Sequence, residues 1–287
     1  MNNILDNIKS NNLELSFEFF PPKKQEQMTV FYNTVKELKQ YNPSFVSITY
    51  GALGSTQDKS LEIIKKIKND FDLEILAHFT CIGCSNENVE KFICELKQNN
   101  INNILALRGD IPEGVKPADI LHDFNYAKDL VEYLKTKNTE IEISVAGYPE
   151  GHPETEDKKQ DLYYLKDKVE AGANFIITQM FFNNNYFYDF CDNAKKIGIN
   201  VPIIPGIMPV SSYKMIEKIT KMCGANVPDE IKDFYSNSNI SKQEQDKFAY
   251  EYTLKQCKDL IDNNISNIHF YTLNKSDIVK QICDELK

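Results

Sequence analysis

The chain has 287 residues, 41% hydrophobic and 26% charged, a make-up that excludes a disordered, collagen-like or disulfide-framework protein. Lys and Arg number 33 against 42 Asp and Glu, for a formal net charge of −9. This excludes a nucleic-acid binder with a basic face but leaves room for a small anion held by a few placed cations. No run of about 18 apolar residues exists to span a membrane. Residues 1–12 lack the apolar core of a secretory signal, and the seven Cys have no framework spacing. The expectation is a cytoplasmic protein with reduced thiols.

Short β-like runs alternate with helical stretches along the whole chain. Residues 13–19 alternate with period two and stop at Pro21-Pro22. Helix is expected over 28–40, where Val30, Phe31, Val35 and Leu38 recur at helical spacing. Strand 45–49 precedes helix 60–69, strand 75–79 precedes helix 86–98, and strand 104–107 precedes helix 124–137. Strand 141–146 leads to helix 161–171, strand 175–178 to helix 186–196, and strand 202–204 to helix 212–222. Residues 227–264 read as additional helix, with Ile240-Ser241 as a cap. Strand 268–271 and helix 276–286 close the series.

Eight βα units predict an α/β fold, a (β/α)8 TIM barrel with an extra helical segment between units seven and eight. No Pro/Gly/Ser-rich linker divides the chain, so residues 1–287 are expected to form a single domain. An open doubly wound sheet is the alternative. Its G-x-G-x-x-G fingerprint is absent, since Gly51-Ala-Leu-Gly54 has the wrong spacing and Gly83 stands alone.

In a barrel the active site lies at the C-terminal ends of the strands. The polar residues there are Glu18, Thr49, Tyr50, His78, Thr80, Arg108, Asp110, Tyr148, Gln179, Tyr271 and Thr272. Glu18 sits among Phe17, Phe19 and Phe20. That company should desolvate its carboxyl and raise its pKa, as suits a general acid, although a strand-end Glu can equally face solvent. Arg108-Gly109-Asp110 joins a fork for phosphate, a glycine for close approach and an acceptor for a heterocycle. A plain turn with a local ion pair would look the same. His152, in the loop Tyr148-Pro-Glu-Gly-His-Pro-Glu154, could contact phosphate or ribose, or be merely solvated. Lys168 on the next helix reads, on pattern alone, as a surface lysine. Cys81-x-x-Cys84 lacks the second pair of a zinc site and any thioredoxin-like context. With no H-E-x-x-H, G-x-S-x-G or P-loop, metal and serine-nucleophile chemistry have no support, and no metal site is expected.

Ten ordered blocks carry a resemblance. They are Ser16-Phe-Glu-Phe-Phe-Pro-Pro-Lys23, Ser47-Ile-Thr-Tyr-Gly-Ala52, His78-Phe-Thr-Cys81, Leu107-Arg-Gly-Asp110, Ala146-Gly-Tyr-Pro-Glu150, His152-Pro-Glu154, Lys168-Val-Glu-Ala-Gly-Ala-Asn174, Ile177-Thr-Gln179, Pro205-Gly-Ile207 and His269-Phe-Tyr-Thr-Leu-Asn274. Together they resemble methylenetetrahydrofolate reductase in its short bacterial form, over essentially the whole chain. The resemblance implies FAD in the barrel and reduction of 5,10-methylenetetrahydrofolate to 5-methyltetrahydrofolate by NADH or NADPH. Nicotinamide and folate would use the same flavin face in turn, in ping-pong fashion, with hydride passing through flavin N5.

By the same resemblance, Glu18 is the general acid that protonates a folate nitrogen as the methylene bridge opens. Asp110 stands beside flavin and pterin, and Gln179 contacts folate and nicotinamide. Thr49, Tyr50, Ala52, His78, Arg108, Gly109, Asp110, Ala127, Tyr148, His152, Asp161 and Lys168 become FAD contacts. Lys168, Arg108 and His152 are then the diphosphate neighbours. Met215 and Lys275 join the folate side, although the family often has Gln at the first and Arg at the second. Ile219 replaces a usual aromatic, and Asp167 replaces a usual basic residue. The family also suggests homo-oligomers and, in some relatives, a partner subunit that delivers electrons. The competing enzyme reading is a folate-binding methyltransferase barrel acting on a corrinoid partner, which would need neither flavin nor nicotinamide. A non-enzymatic reading is a barrel kept as a binding partner in a one-carbon complex.

Overall fold

A computed structural model of the chain describes residues 4–10, 12–22, 24–49, 55–111, 123–137, 140–237 and 239–287. The first strand, β1 (Glu14–Phe19), shows how alternation is used. Leu15, Phe17 and Phe19 point outward into the main core, where they meet Phe31, Val35 and Leu38 of α2 (Met28–Lys39). Ser16 and Glu18 point into the barrel, Ser16 against His269 and Glu18 against His78.

Seven further strands follow with their helices between them. They are β2 (Phe45–Ile48), β3 (Ile75–Thr80), β4 (Asn103–Leu107), β5 (Glu142–Gly147), β6 (Phe175–Thr178), β7 (Ile203–Ile204) and β8 (Gly206–Ile207), before β9 (Asn267–Tyr271). All pairings are parallel, in the order β7-β6-β5-β4-β3-β2-β1-β9-β8. The expected seventh strand, 202–204, is present as β7, and a second short piece, β8, follows it beyond Pro205. β7 pairs with β6, and β8 pairs with β9. Pro205 separates them because it has no N–H to give the ladder. Its carbonyl still accepts from His269 N at 3.0 Å, so the ring of strand positions closes with eight places, one of them filled by two short pieces.

The seam is tightened from inside. Gly206 N donates to Thr178 Oγ1 at 2.9 Å, and Tyr271 Oη donates to Thr178 O at 2.7 Å. A Cβ on Gly206 would press on the Thr178 carbonyl oxygen and the Tyr271 ring. Only a residue without a side chain lets β6 and Tyr271 come this close.

The other helices are α3 (Ser55–Phe71), α4 (Asn86–Gln98), α5 (Ala127–Lys137), α6 (Lys158–Glu170), α7 (Asn184–Lys196) and α8 (Tyr213–Cys223). The extra segment forms α9 (Asp229–Ser236) and α10 (Lys242–Asp262), and α11 (Asp277–Leu286) ends the chain. Ser241 caps α10 as expected, in a reciprocal capping box with Glu244. Phe234 of α9 stacks on Phe248 of α10, centroids 3.9 Å apart and rings 6° from parallel. A short helix, α1 (Ile4–Ile8), was not anticipated. It plugs the N-terminal end of the barrel, where Ile4 and Ile8 pack on Phe45, Leu76, Leu105, Phe175 and Ile204. Leu5 N donates to Glu142 Oε2, and Asn267 Nδ2 donates to Ile8 O.

Candidate active site

The interior of the barrel changes character along its axis. The α1 end is apolar. Above it lies a polar layer in which His269 sits between Ser16 Oγ (2.8 Å from Nδ1) and Ser47 Oγ (3.3 Å from Nε2), with its ring stacked on Phe45. Such a layer is unusual where branched apolar residues normally fill the space. It brings buried imidazoles close beneath the strand ends.

Glu18 lies at the C-terminal end of β1. Its side chain is 20% exposed, and its Oε2 is 3.6 Å from His78 Nε2. Desolvation pushes the carboxyl pKa up to about 8. The expectation of a raised pKa holds, but its sequence reason does not. Phe17 and Phe19 face the opposite side of the strand, and Phe20 is 39% exposed. The low-dielectric surroundings come instead from the inward groups of other strands, among them His78 and Tyr271. Burial also lowers His78 to about 3. Near neutral pH the pair is therefore an uncharged acid beside an uncharged imidazole.

A cavity of about 570 Å3 opens at the C-terminal ends of β4 and β5, against α5 and α6, within the range of small-molecule and cofactor sites. It brings together six of the expected FAD contacts: Arg108, Ala127, Tyr148, His152, Asp161 and Lys168. Lys168 is not the surface lysine that its pattern alone suggests. Desolvation lowers its amine to about 8 against the opposing pull of Asp161, and Nζ donates to Ala146 O at 2.7 Å. Arg108 is held in a fork by Glu154, with Nη1 and Nη2 at 2.6 and 2.8 Å from the two carboxylate oxygens. His152 is kept neutral, since burial lowers its pKa and its Nδ1 accepts from Glu154 N. Its ring meets Tyr148 edge-on at 4.6 Å. Of the three expected diphosphate neighbours, Lys168 alone is free of a carboxylate fork and carries a charge at neutral pH.

The remaining expected residues fall outside the cavity lining. Gly109 has φ +85°, and a Cβ there would meet Thr80 and Ile82, so glycine serves chain packing at this turn as well as any ligand. Asp110 is exposed at the end of β4. Thr49 is half-buried with its N–H on Phe19 O, and His78 is buried. Gln179 is half-buried, and its Oε1 accepts from Met180 N. Met215 on α8 is 40% exposed, Ile219 packs against the cluster of Met180, Phe182 and Met208, and Lys275 is exposed. Tyr50 and Ala52 lie outside the described residues.

Sequence reasoning missed Tyr126, Lys128, Asp129, Glu154, Thr155 and Tyr164 in the lining. A signal was present in α6, which fully buries only Leu165. A helix with so thin a core stripe has another face in use. Asp161, Tyr164 and Lys168 recur there at i, i+3 and i+7, with Asp167, named for its charge, beside them. Cys81 and Cys84 are not joined in a disulfide. Cys84 Sγ donates to Thr80 O and Cys81 Sγ to Arg108 O, so the pair fastens the β3–α4 turn.

With this geometry in place, comparison with known proteins is decisive. A family model for methylenetetrahydrofolate reductase matches residues 3–287. The chain belongs to the methylenetetrahydrofolate reductase family. It is 36% identical over 274 residues to 5,10-methylenetetrahydrofolate reductase of Escherichia coli (strain K12), covering 96% of this chain and 90% of that one. The Buchnera aphidicola enzyme of the same name is 38% identical over 283 residues, covering 99% and 94%. Methylenetetrahydrofolate reductase (NADH) 1 of Arabidopsis thaliana is 36% identical over 286 residues, covering 94% of this chain but 48% of its own length. The chain thus spans about half the length of such plant relatives and nine-tenths or more of the bacterial ones. Among solved structures, an uncharacterized protein from Clostridium thermocellum, described as binding two copies of 5-methyl-5,6,7,8-tetrahydrofolic acid, superposes with a TM-score of 0.63 at 14% identity, covering 96% of this chain and 95% of that one. That likeness supports the barrel fold. Among the described residues, no helix is long and apolar enough to cross a membrane.

Proposed function

We propose that this protein reduces 5,10-methylenetetrahydrofolate to 5-methyltetrahydrofolate, with FAD bound in the barrel and a reduced nicotinamide, NADH in the first instance, as electron donor. The observation that carries this reading within the family is the strand-end carboxyl of Glu18, mostly buried with the uncharged His78 3.6 Å away, where burial pushes its pKa up to about 8. The cavity suits a flavin dinucleotide. Lys168 supplies a positive charge in a water-poor wall, Tyr126 and Tyr164 offer exposed rings at its lining, and Ala127 and Ala146 leave room. The flavin, when bound, supplies the hydride-transfer chemistry that no side chain can perform.

The chain's own groups do the rest. Glu18 delivers a proton to the folate nitrogen that gains charge as the methylene bridge opens. Asp110 places a negative charge where a cationic iminium would be stabilised. Gln179 has an amide that can both donate and accept, as two successive ligands require.

Protein purified with FAD should show a flavin absorbance band that NADH bleaches anaerobically. Glu18→Gln should keep that bleaching near normal while slowing reoxidation by methylenetetrahydrofolate at least about 100-fold, the usual scale of a general acid. A protein that neither retains nor takes up FAD would overturn the reading. Equal loss in both half-reactions would make Glu18 structural.

A further inference from the structure

His78 of β3 approaches Glu18 from across the barrel interior, and it is poorly explained by packing. Its ring is 4% exposed, and its Nε2 has no hydrogen-bond partner. A buried polar atom left unpaired is destabilising. The nearest candidate is Glu18 Oε2 at 3.6 Å, slightly beyond bonding range. Closing that gap takes a shift of a few tenths of an ångström in the Glu18 side chain, which is 20% exposed.

We propose that His78 is a positioning residue for Glu18, its Nε2–H donating to Oε2 so that the transferable proton sits on Oε1, the oxygen turned away from His78. The proposal rests on the reading of Glu18 as the acid. The choice of donor follows from the reaction cycle. An Nε2 lone pair would match Glu18 only while the acid holds its proton. Once that proton left, lone pair would face carboxylate, repelling charge at the moment it forms. An N–H serves both states, weakly with the acid and strongly with the carboxylate. The proton moves from Glu18 Oε1 to the substrate nitrogen, and His78 keeps its own, since burial makes the imidazolium unfavourable. The other titratable groups around the pair are His269 and Tyr271 of β9 and Tyr148 beyond β5. His269 is itself neutral through burial, and both phenols are raised by burial. Among the described residues, no Lys or Arg contributes to the displaced titration of Glu18 or His78, which burial causes in both.

The first test needs no variant. Ring-15N spectra of the flavin-free protein at neutral pH should show His78 protonated at Nε2, and a spectrum with Nε2 unprotonated would overturn the proposal. The second follows Glu18 by its 13C-labelled carboxyl. In His78→Leu its pKa should rise by about one to two units, the scale of a lost charge-assisted bond. In His78→Gln, which keeps an N–H at a similar reach, it should stay within about half a unit of wild type. An unchanged or lowered value in His78→Leu would also overturn it. These readouts do not depend on turnover, so they separate a failure here from a failure of the proposed reaction, which Glu18→Gln kinetics would reveal.

Discussion

At the scale of single residues, charge in this site is governed by burial more than by ion pairing. Lys168 illustrates it. Desolvation lowers its pKa to about 8, and one carbonyl, Ala146 O, holds Nζ in place. A dianionic diphosphate nearby would stabilise the ammonium form. Lys168→Met should therefore weaken FAD binding by at least about tenfold, from the loss of one charge-assisted contact, with little change in unfolding midpoint of the flavin-free protein. Fluorescence titration with FAD measures the first and denaturant unfolding the second. Unchanged affinity would remove Lys168 from the diphosphate site. The legibility of such residues varied. Glu18 and Lys168 were named, yet the reason given for Glu18 pointed to the wrong face of β1, because sequence neighbours on a strand are not spatial neighbours. His152 was named as a phosphate contact, but its neutral, bonded Nδ1 cannot be read from a string.

At the scale of elements, periodicity located strands and helices to within a few residues, since each buries a definite face. It failed where length or pairing decides. Two residues cannot show a period, so strand 202–204 is legible as ending at Pro205, while its continuation as β8 is not. The five-residue α1 went unread for the same reason, and its stability comes from Glu142, Asn267 and the barrel end it covers. The seam at Gly206 gives a direct test. Gly206→Ala forces β6 and Tyr271 apart and should lower stability by about 1–3 kcal/mol, the range of overpacked cores, measured by denaturant unfolding. A neutral effect would mean that the seam opens at no cost and that the Tyr271–Thr178 bridge is dispensable.

At the scale of the whole molecule, the polar interior makes stability depend on pH in two opposing ways. Glu18 has its folded pKa raised from 4.5 to about 8, so the native state binds the extra proton between those values. Its contribution is full below about 4.5 and is lost as pH rises toward 8. His78 and His269 are lowered from 6.5 to about 3. Their contribution is present above 6.5 and is lost as pH falls toward 3. Glu18→Gln cannot ionise, so its stability relative to wild type should increase between about pH 5 and pH 8, by on the order of a few kcal/mol at most. A difference independent of pH would show that Glu18 titrates like a solvated carboxylate. Net charge could not foretell any of this, because −9 counts every ionisable residue alike, whether buried or exposed.

One contact ties the cavity to a distant element. Glu150, buried just before the His152 loop, accepts from both Asn226 N and Asn226 Nδ2 in the turn that follows α8, and Pro153 lies against Gly224 in the same turn. The loop that shapes one side of the cavity is thus bolted to the end of the helix carrying Met215 and Ile219. A lesion in this turn, far along the chain from the cavity lining, would therefore loosen the His152 loop and surface as a change in what the cavity holds rather than as a local defect.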